Sequence, residues 1–336
     1  MHTRYDIQHT TIYSYNQPVS FGLHRVMFRP RDSHDLRVLA TDLQVSPAAN
    51  VRLIQDPHSN SVALVQPLGE ATELKVVCSF TIEQVPPADD VLSELDPAAE
   101  FLPFAYSIED RLDLEHYLRP HHPDPDGTLI RWAHQFLYTD EPNSTREVLA
   151  RMNEHIGKTL TYKARDEEGT QSPLETLNLG SGSCRDYALL MMEAARRLGV
   201  ATRFVSGYLY DASLDKPAPL TDASDATDAT DATGEFEEES AKAPEDKKDT
   251  KDAADAASPG VTVGAGSTHA WLQAYLPGAG WVAFDPTNNL MGSSQLIRVG
   301  VARDPSLATP IAGSWFGKAE AYEGLTATVQ VRRVRN

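Results

Sequence analysis

Two periodicities divide this chain. From Tyr5 to Val85, apolar and polar positions alternate in runs such as Tyr5-Asp6-Ile7-Gln8-His9-Thr10-Thr11-Ile12-Tyr13 and Leu36-Arg37-Val38-Leu39-Ala40-Thr41-Asp42-Leu43. A period of two places one set of side chains on a buried face, so these runs predict strands. Turn residues punctuate them at Asn16-Gln17-Pro18, Ser46-Pro47 and Asp56-Pro57-His58-Ser59-Asn60, which predicts an antiparallel β domain. Pro86-Pro87-Ala88-Asp89-Asp90 reads as a boundary, after which the spacing turns helical around Asp110 to Leu118 and Gly127 to Leu137.

Capping signals then place three helix starts. Ser144-Thr145-Arg146-Glu147 opens a helix through about His155, and Ser172-Pro173-Leu174-Glu175 repeats the signal with proline at the first helical position. Between them, Leu160-Thr161-Tyr162-Lys163 is short and extended. The third start is Ser183-Cys184-Arg185-Asp186, behind the flexible entry Gly180-Ser181-Gly182. Its helix carries Cys184, Tyr187, Ala188, Met191, Ala194, Ala195 and Leu198 as one apolar stripe and closes at Gly199, with Arg196 and Arg197 in the last turn. Beyond it, Ala201 to Tyr210, Thr268 to Leu276 and Trp281 to Pro286 predict strands, the last two joined as a hairpin by Pro277-Gly278-Ala279-Gly280. Thr326 to Val331 predicts a final strand paired back onto a sheet.

Charge adds one feature. The net charge is −18 over 336 residues, and Asp211 to Gly260 holds fifteen acids against five lysines. That segment, with its Asp-Ala-Thr near-repeat and Glu237-Glu238-Glu239, lacks the apolar surface to offset chain ordering, so a disordered insertion is expected over 211–262. It lacks the glycine and terminal glutamate of a calcium loop. The acidity speaks against nucleic acid as a partner. No apolar run approaches the ~18 residues of a membrane span, and the first residues show no leader pattern. Two cysteines make no disulfide framework; Cys78 falls in a strand pattern as packing. A cytoplasmic, reducing setting is the expectation.

Candidate chemistry centres on Cys184. First-turn backbone N–H groups and the helix dipole favour a thiolate there, although the apolar stripe is equally that of a buried core helix. The hairpin separates these readings. Along Thr268 to Leu276, His269, Trp271, Gln273 and Tyr275 share one face. If Tyr275 pairs with Trp281, Asp285 falls opposite Trp271 and diagonal to His269, within reach of a histidine-carboxylate hydrogen bond. A slip of one residue would put the two on opposite faces. Alone, His269 reads as a core histidine and Asp285 as a turn residue. Together with Cys184 they supply a nucleophile, a base and a group that orients the base, and the Cys184 backbone N–H is a natural oxyanion donor. The second donor is not readable from the sequence.

These residues carry a resemblance. Gly182-Ser183-Cys184-Arg185-Asp186-Tyr187-Ala188, Gly199 to Tyr208, His269-Ala270-Trp271 and Gly280-Trp281-Val282-Ala283-Phe284-Asp285-Pro286-Thr287-Asn288 resemble the bacterial transglutaminase-like family. His24 to Asp32, within Tyr5 to Val85, is similar to its β-rich N-terminal region. The resemblance implies an α+β fold: a papain/transglutaminase-like core, with a central helix packed on an antiparallel sheet, behind an N-terminal antiparallel β domain. It implies a β-rich region over 1–88, a helical connector over 89–143, a catalytic core over 144–320 and a C-terminal strand over 321–336. It also implies Cys184, His269 and Asp285 as the catalytic triad. The expected activity is cysteine-dependent acyl transfer from an amide through a thioester, with peptide or amide hydrolysis as the close alternative and a non-catalytic binding module as the competitor. Protein or peptide substrates are implied. No cofactor is expected, since no calcium site is legible although the animal relatives use calcium, and no membrane or nucleic-acid partner is expected; the oligomeric state is not readable. The insertion falls between the Tyr208 and His269 strands, where relatives have a shorter connection.

Overall fold

The computed structural model describes residues 2–85, 91–164, 169–215 and 262–334. The interior of the acidic insertion, 216–261, lies outside the described residues. Its two ends belong to the folded body: Asp211 is buried, Ala212–Asp215 forms a 3-10 turn, and the Asp211 carboxylate accepts from Ser213 N at 2.8 Å and Thr262 N at 2.6 Å. The expectation of disorder from 211 to 262 is therefore too wide at both ends, because one carboxylate ties the two chain segments together.

The N-terminal alternation folds as expected into antiparallel sheets. One runs in the order Trp315–Phe316, Thr3–Phe21, Glu70–Gln84, Leu36–Ser46, and the C-terminal strand Tyr322–Val334 also pairs with Thr3–Phe21. The other runs Ile311–Ala312, His24–Val26, Ser61–Pro67, Ala49–Gln55. Asn16-Gln17-Pro18 is not a turn. The strand Thr3–Phe21 continues through it, with pairing to Glu70–Gln84 shifting between Ser14 and Val19. Proline has no N–H for a ladder, and an irregularity absorbs that loss without reversing the chain. Cys78 is 2% exposed on this sheet, and burial pushes its thiol up to about 12, which leaves it unreactive.

The second half is built round the helix Cys184–Arg197. It packs against a five-stranded antiparallel sheet in the order Leu290–Met291, Gly280–Asp285, Thr268–Leu276, Thr202–Leu209, Leu296–Ala302. Thr128–His134, Thr145–Thr159 and Pro173–Leu179 supply further helices on the same core, which also takes in Leu92, Leu102 and Phe136. The sequence implied a one-sided stripe on the Cys184 helix, but Leu189, Leu190, Met192, Glu193 and Arg196 are buried as well. The residues from 91 to 136 cover the face that the pattern left polar. Burial of charge there is compensated: Glu193 pairs with Arg196 Nη1 at 2.7 Å and Arg197 Nη1 at 2.9 Å, and accepts from the backbone of His121 and His122. Arg196 in turn donates to the carbonyls of Tyr117, Thr202 and Arg303.

The two halves meet at the strand Leu296–Ala302. Asn60 bonds both the N–H and the C=O of Val301, at 2.9 and 2.7 Å, and Gln84 donates to Leu296 O. Tyr208, Ile297 and Val299 join the apolar core of the N-terminal sheets. Among the described residues no helix is long and apolar enough to cross a membrane.

Candidate active site

The approach to Cys184 is set by a buried carboxylate. Gly180 ends the preceding helix with φ +60°, a left-handed conformation that glycine adopts without strain. Ser181–Gly182 then pairs in parallel with Thr161–Tyr162. Asp186, fully buried, accepts from Ser183 N at 2.8 Å, Ser183 Oγ at 2.9 Å and Gln171 N at 2.7 Å. These bonds fix the loop against the first turn, and the helix starts at Cys184, as the capping pattern predicts. Cys184 is 8% exposed. Its backbone N–H belongs to the turn that has no intrahelical acceptor.

The hairpin register is the one argued from the sequence. Tyr275 pairs with Trp281 and Leu272 with Phe284, so Asp285 comes to the His269 side of the sheet. His269 Nε2 lies 2.8 Å from Asp285 Oδ2, with both side chains fully buried. Nε2–H donating to the carboxylate leaves Nδ1 as the free ring nitrogen. Nδ1 is buried with no hydrogen-bond partner of full geometry. The Cys184 side chain is close enough to the ring to raise its basicity. Three residues remote in sequence thus meet as thiol, imidazole and carboxylate.

Electrostatics follow from this packing. Burial is the largest influence on His269 and opposes its charged form, yet the Asp285 carboxylate, with Cys184 adding to it, outweighs burial and holds the pKa above the ordinary histidine range. Burial likewise opposes ionisation of Asp285, and His269, Asn288 and the Thr287 N–H together hold its pKa below the usual value. The pair therefore favours imidazolium beside carboxylate.

Residues to which the sequence reading gave no role support the triad. Asn288 Nδ2 donates to Asp285 Oδ2 at 2.9 Å and to Val263 O at 3.1 Å, while its Oδ1 accepts from Val263 N at 3.1 Å. Gly264 follows, with φ +89°; a Cβ there would stand 2.5 Å from His269 Nδ1. Gly266 O accepts from Val329 N at 3.0 Å. The segment after the insertion is thus fastened over the imidazole at Thr262, Val263 and Gly266. Trp271 stacks on His269 with centroids 6.0 Å apart. Gly207, paired with His269, makes room for that indole, since a Cβ would fall 2.7 Å from Trp271 Cη2 and 2.2 Å from Ile297 O. Trp271, on the face of His269, and Asn288, in the string after Asp285, were visible in the sequence without a role; Gly264 and Gly207 depend on contacts between segments distant in the chain. Among the described residues no cluster of three or more histidine, cysteine or acidic side chains could hold a metal ion.

A thiol at a helix start facing a histidine-carboxylate pair on an antiparallel sheet is the arrangement of the transglutaminase-like and papain-like class. Residues 5–83 match the bacterial transglutaminase-like N-terminal region and residues 131–286 the transglutaminase-like superfamily core. The chain thus carries a transglutaminase-like core behind a bacterial transglutaminase-like N-terminal region. An uncharacterized protein of Mycobacterium leprae is 24% identical over 98% of this chain and 99% of its own length. An uncharacterized protein of Mycobacterium tuberculosis H37Rv is 24% identical over 94% of this chain and 89% of its own. The solved structure of a "Putative Cysteine Protease" from Cytophaga hutchinsonii shares the fold at a TM-score of 0.63 and 16% identity, over 99% of this chain and 91% of that one.

Proposed function

We propose that this protein is a cysteine-dependent enzyme that takes an acyl group from an amide of a protein or peptide substrate, with Cys184 as nucleophile, His269 as proton carrier and Asp285 as its orienting group. The observation that carries the reading is the 2.8 Å His269–Asp285 bond with the Cys184 side chain beside the same imidazole. Cys184 Sγ, as thiolate, attacks the amide carbonyl, and the Cys184 N–H donates to the oxyanion that develops. The C–N bond breaks as the imidazolium gives its Nδ1 proton to the leaving amine, which yields a thioester and a neutral imidazole. An incoming nucleophile then gives its proton to Nδ1, the C–S bond breaks, and the thiolate is restored beside imidazolium. Asp285 keeps Nε2 protonated throughout, so Nδ1 always faces the reacting atoms.

An amine as second nucleophile gives transamidation, and water gives deamidation or peptide hydrolysis. Both follow from one thioester. The test has two parts. Alkylation by iodoacetamide at mildly acidic pH, read by peptide mass, should label Cys184 far faster than Cys78 or a free thiol, and His269→Ala should abolish the difference. Unenhanced reactivity that His269→Ala leaves unchanged would refute catalysis and leave a non-catalytic binding module. Glutamine-containing peptides incubated with and without a primary amine then separate the outcomes: Cys184-dependent amine incorporation marks transamidation, whereas ammonia or peptide fragments alone mark hydrolysis.

A further inference from the structure

At the far end of the Cys184 helix, about 20 Å from the thiol by helical rise, a cleft of about 690 Å³ opens where three parts of the chain meet. Arg25 and His58 line it from the N-terminal sheets, His116 and Arg119 from the connecting helical region, and Arg303 and Leu307 from the chain after the strand Leu296–Ala302. The triad chemistry gives this space no role. Its volume is that of a small-molecule site, and a seam between packed units is where such sites form.

The charge of the lining is unusual for a chain carrying −18. Three guanidinium groups face two carboxylates, Asp56 and Glu115. Asp56 is already occupied: Arg25 Nη2 lies 2.8 Å away, and the Asn60 side chain and the backbone N–H groups of His58 and Asn60 donate to it at 2.9 Å each. Glu115 is exposed at the rim. Arg119 and Arg303 make no side-chain hydrogen bond or ion pair with any described residue. Arg303 is nevertheless held in place, because its carbonyl accepts from Arg196 Nη2 at 2.7 Å. His58 Nδ1 is engaged by Tyr117 Oη at 2.9 Å, which leaves Nε2 as the nitrogen open to a ligand. Burial, together with the charges of Arg303, Arg203 and His116 acting against Asp56, holds His58 below the ordinary histidine range, as a positive surrounding should.

We propose that this cleft binds a small molecule bearing an oxyanion, a phosphate or a carboxylate, with Arg119 and Arg303 as the groups that hold the anion. Guanidinium donors match either oxyanion bidentately, and at the half-buried Arg303 partial enclosure strengthens the pairing over that of an exposed charge. The site stands independently of the proposed thiol chemistry, since none of its residues touches the triad.

Calorimetric titration of the full chain with sodium phosphate, and separately with sodium succinate, in a chloride buffer tests it. At least one anion should bind saturably and raise the melting temperature, and Arg119→Gln and Arg303→Gln should each weaken binding by about tenfold or more. Phosphate alone identifies a phosphoryl ligand and succinate alone a carboxylate ligand; either supports the site. Neither substitution breaks a side-chain bond to a described residue, so the ligand-free melting temperature should stay at the wild-type value. Should Arg303→Gln fold poorly, Arg119→Gln, at an exposed position, decides. Absence of saturable binding by both anions up to about 10 mM, or affinity unchanged in the variants, overturns the proposal.

Discussion

Replacing Asn288 by alanine separates a structural asparagine from one that serves the site. Four polar contacts end at this side chain: a bond to the ionised Asp285 at 2.9 Å, two to the Val263 backbone at 3.1 Å, and an approach of Nδ2 to His269 Nε2 at 3.5 Å that adds no bond while Nε2 carries its proton. A bond to a charged group contributes about 1.5–3 kcal/mol and a neutral one about 0.5–1.5 kcal/mol. Asn288 is half-buried, so water replaces part of what is lost, and the expected destabilisation is about 2–4 kcal/mol. Asp285 keeps His269 and the N–H groups of Thr287 and Asn288, so the carboxylate stays ionised but loses a fixed direction. The segment ahead of Gly264 simultaneously loses its tie to the sheet. Urea unfolding followed by tryptophan fluorescence gives the stability change, and iodoacetamide labelling of Cys184 gives the effect on the site. Both should fall together. A loss below about 1 kcal/mol with wild-type labelling would refute the claim that Asn288 links the carboxylate to the segment over the imidazole.

Asp285→Asn should lower the titration of His269: with the carboxylate gone, burial is opposed by Cys184 alone, and NMR should find the ring titrating well below its wild-type value. Stability should follow the same linkage. The raised His269 pKa stabilises fully below about pH 6.5 and is lost as pH rises through the folded value, while the lowered Asp285 pKa stabilises above about pH 3.9 and is lost on acidification. The stability gap between wild type and Asp285→Asn should therefore be widest between those limits, and a flat gap across pH would contradict the pairing. Asp186→Ala should cost about 2–4 kcal/mol in chemical denaturation, because it strands the buried N–H and hydroxyl of Ser183 and the half-buried N–H of Gln171; a cost under about 1 kcal/mol would show that the loop holds itself. Gly264→Ala and Gly266→Ala share the same backbone penalty, at φ +89° and +85°, but only the former drives a Cβ to 2.5 Å from His269 Nδ1, whereas the latter meets nothing nearer than 3.9 Å. Labelling of Cys184 should slow in the first and persist in the second, and equal rates would place the imidazole elsewhere.

The sequence by itself determined the elements and the pairing that makes the site. Period-two runs marked the strands, Ser183 and Asp186 marked the start of the thiol helix, and the hairpin length set Tyr275 against Trp281, which alone brings Asp285 to the face of His269. These are local or short-range matters, decided by side-chain alternation and by unpaired backbone groups at helix ends. Only the tertiary structure decided what surrounds them. The Cys184 helix is buried on all sides because the segment before Phe136 folds over it, and its polar face reads as solvent-exposed until Glu193 is seen between Arg196 and Arg197. Pro18 spoke for a turn, and pairing on both sides of the long strand overrode it. Asn288, Gly264 and the cleft at Arg119 and Arg303 join residues far apart along the chain. No periodicity records such contacts, since they arise from how finished elements stack and not from how each one forms.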